Sequence, residues 1–75
     1  MKTKTFKIGE YCIGGIIKVI IKNDKINILC LDYYTKKEIN NENFNINDIY
    51  SIDDFLNVLT SCYYSDKIIN YIKNI

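Results

Sequence analysis

Two β-rich runs of eight residues, GIIKVIIK from Gly15 to Lys22 and INILCLDY from Ile26 to Tyr33, flank Asn23-Asp24-Lys25. Such aliphatic and β-branched runs suit a pleated, half-buried surface rather than a helix. Asn and Asp tolerate positive φ, so Asn23-Asp24 supplies the two-residue turn that hairpin twist prefers. With Lys22 opposite Lys25, Ile21 faces Ile26, Val19 faces Ile28 and Ile17 faces Cys30, and one face of the hairpin is wholly apolar. The other face mixes Lys18, Lys22, Lys25 and Asn27 with Ile16, Ile20, Leu29 and Leu31. A slip of one residue would mix the two faces, so the pattern selects a single register.

A further strand is expected around Thr3 to Ile8, closed by Gly9 and followed by an irregular stretch from Glu10 to Gly14. Another follows the short polar connection Tyr34-Thr35-Lys36-Lys37 and runs from about Glu38 to Ile46. Its parity breaks between Ile39 and Phe44, which predicts a bulge near Asn40-Asn41. The period then changes. Ile52, Phe55, Leu56, Leu59 and Tyr63 form a helical stripe, and Ile68, Tyr71, Ile72 and Ile75 form a second one. Ser51 with Asp54 resembles a capping box, Asp53 and Asp54 would sit in the first helical turn, and Ser65-Asp66 offers a second N-cap. The expected fold class is α+β: an antiparallel meander of three to four strands packed against one kinked or two short C-terminal helices. If there are two, they join at Tyr63-Tyr64. Residues 1–75 have room for one core and form a single domain, with strands over about 3–46 and helix over about 51–74.

A chain of this length buries only about 60% of the surface its unfolded form exposes, so the core needs support. Three cysteines cannot close a disulfide framework, and without histidine a structural zinc lacks its usual ligands. No metal or cofactor is expected. Good packing or a partner chain must supply the support, and the second apolar patch at Ile16, Ile20, Leu29 and Leu31 points to a homo-oligomer or a protein partner. Proton transfer without His or Arg would fall to Asp, Glu, Lys, Tyr or Cys, and a catalytic cysteine would lack its imidazole partner; the chain does not read as an enzyme. Cys30 and Cys62 read as buried thiols. Free cysteines and the lack of a secretory pattern or long apolar run fit a cytoplasmic protein.

Charge is unevenly distributed. Residues 1–37 carry eight Lys against three acids, and residues 38–75 carry two Lys against six. The basic half suits an anionic ligand, the two halves together suit self-association, and the plainest reading is a solvated surface with acids at a helix start. With no Arg in the chain, base-specific DNA readout is disfavoured. The candidate binding residues are Gly14, Gly15, Lys18, Lys22, Tyr33, Tyr34, Lys36 and Lys37. Gly14-Gly15 beside Lys18 is a candidate anion site, although no P-loop pattern accompanies it. Tyr33-Tyr34 beside Lys36-Lys37 offers an exposed ring for stacking or for a protein hot spot.

The segments FKIGEYCIGGIIKV, LDYYTKKEI and LTSCYYSDKIINYI resemble small proteins of low-GC Firmicutes and their phages and mobile elements. In size and composition the chain is similar in kind to anti-defence proteins, such as anti-CRISPRs and signal-nucleotide sponges. That resemblance implies a non-enzymatic inhibitor that occupies a host-defence protein. The alternatives are an oligomeric sponge for an anionic nucleotide and a non-specific nucleic-acid-binding module. The resemblance assigns no site residue.

Overall fold

The computed structural model describes residues 1–8 and 15–75. Gly9, the stretch 10–14 and Gly14 of the candidate anion site lie outside the described residues. The elements are β1 (Lys2–Lys7), β2 (Gly15–Lys22), β3 (Lys25–Asp32), β4 (Glu38–Asn45), α1 (Ile49–Leu59) and α2 (Cys62–Lys73). The strands form one antiparallel sheet in the order β1-β2-β3-β4, and the two helices follow, an α+β meander.

The β2–β3 pairing is the one the alternation dictates: Lys22 opposite Lys25, Ile21 opposite Ile26, Val19 opposite Ile28 and Ile17 opposite Cys30. Asn23 takes the positive φ of 57° that closes the turn. The inner face is dry, with Val19, Ile26 and Ile28 each 0% exposed. Onto it pack Ile52 and Leu56 of α1 with Ile68, Ile69 and Ile72 of α2. β1 adds Phe6, opposite Ile17, and the chain just beyond it adds Ile8. β4 adds the half-buried Phe44, opposite Ile26, whose ring lies 5.4 Å from that of Phe55.

On the outer face Ile16 is buried, and Ile20, Leu29 and Leu31 are half-buried. The apolar patch read from the sequence is therefore a set of aliphatics sunk between polar neighbours. Lys18 pairs with Thr5 and Leu29, and Leu29 in turn with Asn41. Beside them the Asn27 amide donates to the side-chain oxygens of Asn41 (2.6 Å) and Asn43 (3.0 Å), and Asn41 donates to Glu38 (2.9 Å). These bonds tie β3 to the polar edge strand. The bulge in β4 falls at Ile39, since Cys30 faces Asn40 while Leu31 faces Glu38; it sits just before the predicted Asn40-Asn41.

The helix boundaries differ from the sequence reading. Helix α1 starts earlier, because Asp48 is its N-cap and accepts a hydrogen bond from the Ser51 N–H (3.3 Å). Ser51 and Asp54 thus lie inside the helix and form no capping box. The helical segment is two helices that part at Thr60-Ser61, where Thr60 is extended; Tyr63-Tyr64 lie within the first turns of α2. Ser65 is no N-cap either. It is 0% exposed within α2, and its hydroxyl donates to Asp53 Oδ1 across the helix pair (2.7 Å). Tyr63 and Ile75, assigned to the core stripes, are exposed. The stripe reading failed at Tyr63 because the break at Thr60 resets the helical phase, and at Ile75 because α2 ends at Lys73.

No described helix is long and apolar enough to cross a membrane.

Asp53 therefore satisfies a buried hydroxyl rather than a helix dipole. Asp53→Ala leaves that hydroxyl without a partner and should cost about 1–3 kcal/mol, whereas Asp54→Ala, at an exposed position, should shift stability by less than about 0.5 kcal/mol. Urea unfolding of both variants measures the difference. Equal losses would return Asp53 to a general electrostatic role.

Candidate functional site

The loop between β3 and β4 is built on one carboxylate. Asp32 Oδ1 accepts hydrogen bonds from the backbone N–H groups of Tyr34 (2.9 Å) and Thr35 (2.8 Å). Aspartate is suited to this, since its short side chain reaches backbone donors two and three residues ahead. Main-chain bonds close the base: Asp32 N–H to the Lys37 carbonyl (2.8 Å) and Lys36 N–H to the Asp32 carbonyl (3.0 Å). Lys36 has a φ of 62°, a left-handed conformation uncommon for a residue with a Cβ. Its ammonium donates to the Tyr33 carbonyl and lies 4.8 Å from the centre of the Tyr33 ring.

Two aromatic rings cap this frame. Tyr33 is half-buried, Tyr34 is 82% exposed, and they meet edge to face at 5.2 Å. The backbone N–H groups of Thr35 and Tyr34, aided by the Lys36 ammonium, hold the Asp32 carboxyl below the usual carboxylate range. The chemistry on offer is recognition: an amphipathic ring presented on a tied loop, flanked by the exposed amine of Lys37.

The remaining candidates do not all converge on this tip. Gly15 stands opposite Asp32 at its base, with the Gly15 carbonyl accepting from Ile8 N–H (3.0 Å). Lys18 lies on the outer face, whereas Gly15 shares the inner parity of Ile17 and Val19, so the glycine and the lysine do not face one common ligand. Lys22 sits at the other end of β2, opposite Lys25; seven residues at about 3.4 Å each put it roughly 24 Å from Gly15. The seven described candidates are thus a tip cluster plus two separate lysines.

Cys30 is buried and its thiol is pushed up by burial, as an inert core thiol should be. Cys62 is exposed, contrary to the sequence reading, because α2 begins at that residue and turns it outward. Among the described residues, no group of three or more Cys, Asp or Glu side chains is placed to hold a metal ion.

The sequence reading missed a basic groove between β1 and α2, lined by Lys2, Lys4, Phe6, Lys67 and Tyr71 among others. Its signal was present in the alternation of Lys2, Lys4 and Phe6, which places both lysines on the helix side of the sheet. No protein-family model matches the chain, and neither a curated protein nor a solved structure shows significant similarity to it.

The tip is expected to respond to acid in a defined direction. A carboxylate with a lowered folded pKa contributes stability above its unfolded value, and this is lost as pH falls through the folded value. The amide signals of Tyr34 and Thr35 should therefore titrate together with a midpoint below the ordinary 3.8 of an aspartate, and Asp32→Ala should remove the transition. A midpoint at or above that value would show that these two N–H groups do not hold the carboxylate in solution.

Proposed function

We propose that this chain is a non-enzymatic binding protein of a phage or mobile element, acting by occupying a protein of a host-defence system. The observation that carries this reading is the tip itself: Tyr34 stands 82% exposed on a loop fastened by Asp32 and Lys36. Tyrosine is enriched among interface hot spots because it buries a large ring and retains a polar end. A loop already fixed before contact loses less conformational freedom on binding, so more of the contact energy appears as affinity. Lys37, exposed in the same loop, favours a partner surface bearing acidic groups. The size, composition and lack of catalytic groups that make the chain similar in kind to phage-encoded anti-defence proteins support the defence setting.

Self-association is the second reading. It is favoured by the outer sheet face, which lies opposite the face that α1 and α2 pack on and where Ile20, Leu29 and Leu31 are half-buried. The nucleotide-sponge reading gains no support, since Gly15 and Lys18 lie on opposite parities of β2.

The test begins with phage plating on hosts that carry single defence systems, with and without the chain, followed by affinity measurement against components of the system it relieves. Tyr34→Ala should weaken that complex at least about 30-fold, as loss of a hot spot worth about 2 kcal/mol implies, with an unchanged melting temperature. Lys22→Glu, at the far end of the hairpin, should leave binding intact. Full affinity in Tyr34→Ala together with loss in Lys22→Glu would overturn the tip model.

A further inference from the structure

β1 is an edge strand of the described sheet, and its two N-terminal lysines lie on the side that faces α2. Lys2 and Lys4 sit opposite Ile21 and Val19, so they share a face with Phe6 rather than with the outer surface. Helix α2 brings Lys67, Asn70, Tyr71 and Asn74 to the same edge, and together these side chains line an open groove of about 390 Å³. Two smaller hollows adjoin it. One, of about 290 Å³, is lined by Tyr63, Asp66, Lys67 and Asn70, and the other, of about 250 Å³, reaches Lys7 and Tyr64. Lys67 lines all three, so the hollows follow one another along α2, and two of them reach β1; together they form the β1–α2 trough.

The lining has two components. Among the lining side chains, four lysines, Lys2, Lys4, Lys7 and Lys67, stand against one carboxylate, Asp66. Aromatic rings are set among them. Tyr63 is 67% exposed, is steadied edge to face by Tyr64 at 5.1 Å, and lies 5.8 Å below the Lys67 ammonium. Phe6 lies 5.9 Å from the Lys4 ammonium and meets Tyr71 at 5.8 Å. A positively charged groove with an exposed aromatic face is the combination that holds single strands: ammonium groups track phosphates and the ring stacks on a base. An acidic protein segment would use the lysines too; the exposed Tyr63 ring set beside Lys67 favours a nucleic acid, in which every nucleotide brings a phosphate together with a π-face that can stack. The absence of Arg removes the usual bidentate readout of bases.

We propose that the β1–α2 trough binds single-stranded nucleic acid without sequence preference, with Lys2, Lys4 and Lys67 on phosphates and Tyr63 stacked on a base. The site is separate from the β3–β4 tip and does not depend on the protein-partner reading.

Fluorescence anisotropy with a labelled oligothymidylate tests it. Release of counterions from three or four phosphate contacts gives an affinity that falls roughly 20- to 50-fold between 50 and 200 mM salt. Lys2→Gln with Lys4→Gln should weaken binding at low salt and flatten that dependence. Tyr63→Ala should lower affinity between about 5- and 150-fold while keeping the salt dependence, because stacking is not ionic. Lys22→Gln with Lys25→Gln, at the far hairpin end, should change neither. All five substituted side chains, the controls included, are exposed, and circular dichroism melts confirm folding of each variant. No binding to oligothymidylate at 50 mM salt, or binding indifferent to Tyr63 and to Lys2 and Lys4, overturns the proposal. Capture of polyglutamate in preference to oligothymidylate, lost with Lys2 and Lys4, also overturns it and assigns the trough to an acidic protein.

Discussion

The pairing of β2 with β3 is the constraint on which the rest of the molecule depends. With side chains alternating strictly along a strand, one register sends Ile17, Val19, Ile21, Ile26 and Ile28 to a common face, and each is at most 4% exposed. That ladder is the floor on which both helices rest through Ile52, Leu56 and Ile68, all three fully buried. A domain this small has no second core to compensate for an error in the first. The turn that sets the register uses little: an Asn at φ 57°, a conformation Asn adopts at lower cost than most residues.

The same pairing sorts the surface. By sending Lys18 and Lys22 outward it separates them from Lys2 and Lys4, which β1 carries to the helix side. By placing Gly15 opposite Asp32 it ends the hairpin where the next loop begins, so the carboxylate that terminates β3 also organises the tip. Basic character is therefore divided among an outer face, a tip and a groove, and no single patch gathers it. The helices respond in kind. The extended Thr60 lets α2 turn back beside α1, which brings Ser65 against Asp53 and Lys67 towards β1.

Strand parity was legible in the sequence because β-branched runs around Asn23-Asp24 leave one register with a clean face. The hairpin follows from that alone, and the meander and the α+β class follow once the flanking strands and the change to helical period are added. Helix ends were less legible. Ser51-Asp54 and Ser65-Asp66 carry the composition of N-caps, yet Asp48 and Ser61 occupy those positions, because tertiary packing sets where the helices stop and restart. Asp53 resembled a dipole acid only because its partner, Ser65, lies twelve residues away and on another helix. The groove escaped notice for a related reason: Lys67 meets Lys2 and Lys4 only through the packing of α2 on β1, and no local pattern joins them.

The most direct test of the central claim compares neighbouring residues on opposite faces of β3. Ile28 is 0% exposed beneath the helices, while Leu29 is half-buried on the outer face between Lys18 and Asn41. Equilibrium denaturation should show Ile28→Ala losing about 2–5 kcal/mol, enough to unfold much of so small a domain, and Leu29→Ala losing roughly 1 kcal/mol. Equal losses, or a larger loss at Leu29, would contradict the register and with it the placement of both helices.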